Sequence, residues 1–200
     1  KTYLWGGLYE INHEYSPMEA LDGVENSPSE HYFKFDPQGF AYDPDRAAFL
    51  ARLAALRTGP ANRYLAYGVM LRPPDVQPSD TRMSWFHYNS NQKTREYRDR
   101  GSIVVPGIIA SAWQQGTGPS LSFAFLFANT EGKEVTVQAT VDRKRYGITG
   151  DGWKMRILSG FDKGRTATSR ETGPLGADPT VALSLPLASR DLLMVEFHRE

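Results

Sequence analysis

LSFAFLFANTEGKEVTVQAT, residues 121–140, is the stretch on which the reading of the fold turns. Leu121 to Ala128 is almost unbroken in its apolarity and only eight residues long, the pattern of a central strand covered on both faces. Thr130-Glu131-Gly132-Lys133 then has the composition of a hairpin loop. Val135, Val137 and Ala139 alternate with Thr136, Gln138 and Thr140, which predicts a strand with one buried and one wet face.

Toward the C terminus the same period continues. Gly147 to Gly152 is a turn region, and Trp153, Met155 and Ile157 alternate with Lys154 and Arg156. Phe161 to Asp178 is rich in Gly, Thr and Arg and is expected to be looped; Val181–Leu185 and Leu192–Phe197 close the set. Toward the N terminus, Ile108–Trp113 and Ser84–Tyr88 read as strands, with Gln115 to Pro119 as a turn. Lys93 to Arg100 is expected to be a solvated loop, since Glu96 and Asp99 dilute its cations. About eight short strands without βαβ alternation or a fixed repeat predict a mainly β fold, an antiparallel β-sandwich.

Upstream the period changes. Asp43-Pro44-Asp45 is a helix start, Phe49, Leu53 and Leu56 form an apolar stripe, and Gly59-Pro60 stops the helix. The stripe is read as packing. Tyr64 to Leu71 is expected to be a strand bent at Gly68, with a short second helix as the alternative. A domain boundary is therefore expected near residues 58–62: residues 1–61 as an aromatic-rich α/β segment and residues 62–200 as the sandwich.

Residues 1–42 contain Tyr3, Trp5, Tyr9, Tyr15, Tyr32, Phe33, Phe35, Phe40 and Tyr42, a concentration unlike the rest of the chain. Tyr3 to Ile11 is expected to be a strand, followed by a long irregular stretch to Asp43. Asn12, His13 and Glu14 are adjacent groups able to donate, accept or transfer protons, and at a strand end they would stand where barrel enzymes build active sites. The competing reading is an ordinary hydrogen-bonded loop. His-Glu-x-x-His spacing is absent, so no metal and no cofactor are expected.

Composition narrows the classes. Charged residues make up 23% and the formal net charge is zero, against a general polyanion binder, so no nucleic-acid partner is expected. Cysteine is absent, which excludes disulfides and thiolate chemistry. No apolar run reaches membrane-spanning length, and no membrane partner is expected. The chain begins at Lys1 without Met, and a processed chain or a fragment of a longer protein is expected.

Two groups of residues resemble a known family. Ala48-Phe49-Leu50 with Leu53, Leu56-Arg57, Tyr64-Leu65, Gly68 and Met70-Leu71-Arg72-Pro73-Pro74 is similar to the barrel-to-sandwich junction of bacterial glycoside-hydrolase-like proteins. So is Ala110-Ser111-Ala112-Trp113 with Gly118, Phe127-Ala128-Asn129-Thr130, Val135-Thr136-Val137, Val141-Asp142 and Tyr146-Gly147. The resemblance implies that residues 1–60 are the last strand, loop and helix of a (β/α)8 barrel, with the rest of that barrel upstream. It also implies a carbohydrate substrate met by Trp5, Asn12, His13, Glu14 and Tyr15, whose rings would stack on a sugar face. Glycosidases use two carboxylates, about 5–5.5 Å or 6.5–9.5 Å apart. The resemblance places these on earlier barrel strands, so no catalytic pair is assigned within this chain. Two alternatives stay open: a freestanding carbohydrate-binding module, for which Trp85, Trp113 and Trp153 would need to be exposed, and a structural β-sandwich without a ligand.

Overall fold

The computed structural model describes residues 44–77, 80–87, 99–161 and 168–199. The protein is mainly β and antiparallel. Helix α1 (Pro44–Thr58) and helix α2 (Asn62–Tyr67) lead into β1 (Val69–Leu71), β2 (Asp80–His87), β3 (Asp99–Pro106), β4 (Ile108–Gln115) and β5 (Ser122–Asn129). Then come β6 (Val135–Asp142), the single turn α3 (Arg143–Tyr146), β7 (Trp153–Ser159), β8 (Thr168–Pro174), β9 (Thr180–Leu187) and β10 (Leu192–Arg199).

The chain forms two units. One holds 45–80 and 106–199; residues 81–105, with β2 and β3 as a two-stranded sheet, belong to the other. In that second unit Arg82 donates to the Ser102 hydroxyl at 2.8 Å, and Ile103 and Val104 are exposed.

The first unit is built on a six-stranded sheet in the order β1-β4-β5-β10-β7-β8. Strand β5 lies inside it, paired with β4 on one side and β10 on the other, and every one of its residues is buried. Its side chains divide by the period of two. Phe123, Phe125 and Phe127 face a core shared with the β6–β9 ribbon, which contributes Val137, Val141, Leu183 and Leu187. Ala124, Leu126 and Ala128 face a second core with Leu56, Ala61, Tyr64 and Leu65 of the helical segment. The apolar stripe of α1 is packing, as its spacing predicts: Phe49, Leu53 and Leu56 all join this second core. Arg52 ties α1 to the β9–β10 turn by donating to the Arg190 carbonyl at 3.0 Å. Helix, sheet and ribbon thus make three layers.

Three local expectations are corrected. Tyr64 to Tyr67 is helical, the alternative reading of that segment, and the strand begins only at Val69. Burial of Tyr64 against the sheet overrides the β preference of its ring, and Leu65, buried beside it, is a good helix former. Gly68 joins the two because a Cβ there would stand 2.5 Å from the Tyr64 carbonyl oxygen and 2.7 Å from that of Gln114. The 130–133 loop is not a hairpin: both edges of β5 are occupied, so the chain crosses to the ribbon, where β6 pairs with β9 along its length. Finally, residues 168–174 within the expected loop form β8, an edge strand on β7 whose residues are almost all exposed.

Candidate functional site

Strand β10 reads Leu-Leu-Met-Val-Glu-Phe-His-Arg, and its one acid, Glu196, is 1% exposed. A lone carboxylate there would be very costly to bury unless fully paired. Its partners come from two elements, α2 and β7. Tyr64 on α2 donates its hydroxyl to Oε1 at 2.5 Å, and Arg63, the preceding residue, donates to the same oxygen. Arg156 stands directly across from Glu196 on β7 and donates to Oε2 through Nε at 2.8 Å and through Nη2. The Arg63 guanidinium also packs over the Tyr64 ring, 4.8 Å from its centroid.

These contacts shift the protonation equilibria. Burial pushes the Glu196 carboxyl upward, but the hydrogen bonds from Tyr64, Arg156 and Arg63 outweigh it and hold the group below the usual carboxylate range. Burial, reinforced by the Glu196 charge and hydrogen bond, pushes the Tyr64 phenol well above its ordinary value. Tyr64 is therefore a neutral donor and Glu196 an ionised acceptor through the neutral pH range. With Tyr64 fully buried and both carboxylate oxygens engaged, the cluster clamps α2 to the sheet; it has no group presented for general acid–base or nucleophilic work. Toward the same end of the sheet, the Glu171 carboxylate on β8 lies 3.7 Å from Lys154 Nζ and 4.0 Å from His198 Nε2.

Sequence reasoning missed this cluster. The available signal was an acid in the middle of an apolar strand. The residues that the sequence did single out, Trp5, Asn12, His13, Glu14 and Tyr15, lie outside the described residues. Trp113 is 5% exposed, with its indole N–H on the Ser111 hydroxyl at 3.1 Å; Trp153 is 1% exposed, donating to the Thr149 carbonyl at 3.0 Å. Both are core residues, and the Trp85 side chain falls outside the description.

Among the described residues, no group of three or more His, Asp or Glu side chains is placed to hold a metal ion, and no helix is long and apolar enough to cross a membrane. Compared with known proteins, the chain matches no family model, no curated protein and no solved structure.

Proposed function

We propose that this chain is the C-terminal part of a carbohydrate-active enzyme, a glycoside hydrolase, in which the three-layered β unit is scaffold. The substrate residues on this reading are Trp5, Asn12, His13, Glu14 and Tyr15, with the catalytic carboxylates on an upstream barrel. The observation that carries the scaffold half is the state of Glu196: the most buried carboxylate of the described residues is locked by two arginines and a tyrosine. The resemblance of residues 48–74 and 110–147 to a barrel-to-sandwich junction carries the other half. A freestanding binding module draws less support, because two of its three strand tryptophans are in the core.

The test is hydrolysis of a panel of aryl glycosides and oligosaccharides by the full-length protein, with His13→Ala and Glu14→Ala beside it. The expected result is turnover that falls at least about 10-fold in kcat/KM in one or both variants at unchanged Tm. Absence of hydrolysis, together with no change in Trp fluorescence at millimolar sugar, would sink the proposal.

A further inference from the structure

Arg143 opens α3 and is 8% exposed, yet no carboxylate among the described residues lies at ion-pair distance from it. Its guanidinium instead donates to four backbone carbonyls: Nε to Ile148 at 3.1 Å, Nη1 to Gly176 at 2.5 Å and to Asp178 at 2.9 Å, and Nη2 to Gly150 at 3.3 Å. Two loops supply these oxygens, 147–152 and 175–179. Each is fixed independently: the Ile148 N–H bonds the Arg143 carbonyl at 2.8 Å, the Leu175 N–H bonds the Trp153 carbonyl at 2.8 Å, and the Arg143 N–H bonds the Pro179 carbonyl at 2.9 Å. Gly147 and Gly150, at φ 73° and 77°, give the first loop the left-handed turns that point its carbonyls inward.

Burying a cation without a counter-ion is unfavourable unless fixed dipoles replace its water. Four carbonyl oxygens converging on one point do so, and they create a negative potential that persists whatever fills it. We infer that these carbonyls form a cation cage for planar, guanidinium-type cations, filled in cis by Arg143. The shape of the cation matters. A guanidinium offers its donors as a flat fork and reaches oxygens from both loops at once, which a compact ammonium with three donors does less well. The cage borders an open cleft of about 470 Å³ that Lys144, Thr149, Asp151, Ala177 and Pro179 also line, so cutting back the side chain exposes it to solvent.

The experiment is thermal unfolding of Arg143→Ala in low-millimolar guanidinium chloride, with equal sodium chloride and equal urea as controls. The variant is expected to lose roughly 5–10 °C in Tm, from the four hydrogen bonds lost, and to regain a few degrees in guanidinium alone, while the wild type gains nothing. Equal response to all three solutes, or a variant Tm equal to that of the wild type, overturns the inference. Should Arg143→Ala not fold, Arg143→Lys carries the test by hydrogen exchange. Faster exchange in both loops together is expected, and unchanged exchange in both overturns the cage.

Discussion

Along its central strands the six-stranded sheet is covered on both faces, and the two faces are held by different physics. On the ribbon face the core is apolar and aromatic. Phe125 meets Tyr146 edge-on at 4.9 Å and Phe197 edge-on at 5.4 Å, and Val137, Leu183 and Val195 fill the space around them. On the helix face, Leu56, Leu126 and Met194 do similar packing, but the face also contains Glu196 with its ring of donors. The ribbon is held over the sheet by apolar packing and neutral hydrogen bonds, such as those from Asn129 Nδ2 to the Leu187 and Ala188 carbonyls, whereas the short α2 is also fixed at one point by charge. Six residues are too few for a helix to be stable alone, so its placement depends on that packing and clamp.

The largest effect is expected from Phe125→Ala, which opens a cavity between two aromatic partners and should cost about 3–5 kcal/mol in urea unfolding, equally at neutral pH and below the ordinary carboxylate range. Glu196→Gln comes next, at about 3 kcal/mol at pH 7, because it leaves two guanidinium groups facing a neutral amide. Its cost, unlike that of Phe125→Ala, should shrink in acid. The folded-state Glu196 is shifted downward, so its stabilisation is present above the ordinary carboxylate range and is lost as pH falls through the depressed value. An equal pH response of the two variants would erase the proposed difference between the faces.

Tyr64→Phe removes one donor to Glu196 and is expected to cost about 1–3 kcal/mol. Wild-type Tyr64 has a raised folded-state value, so its stabilisation is complete below the ordinary phenol range and declines as pH rises above it; the Phe variant should lose that alkaline decline. The smallest effect belongs to the partly exposed Lys154–Glu171 pair. Glu171→Gln should change unfolding free energy by less than about 1 kcal/mol, and less still in high salt. A larger loss would mean that the polar end of the helix face is as strongly coupled as its centre.

Parts of this were legible in the chain itself. The Gly59-Pro60 stop and the stripe of α1 follow from helix geometry, and the doubly covered β5 and the half-exposed β6 follow from strand period. Other parts were not. Nothing local to 130–133 says whether β6 folds back on β5 or crosses to β9, since that depends on β10, which starts some sixty residues later, taking the free edge of β5. The exposed β8 has no apolar alternation to read, because pairing with β7 alone makes it a strand.

The Glu196 cluster divides in the same way. An acid inside an apolar strand is plain from the chain, and its burial demands a partner. That the partners are Arg63, Tyr64 and Arg156 follows from the folded arrangement alone. Strand pairing sets Arg156 opposite Glu196, and helix packing sets Tyr64 above it, bringing together residues as many as 133 positions apart. Local composition dictates the period of each segment; pairing between distant segments dictates which charges meet, and that information is carried by no single stretch of the chain.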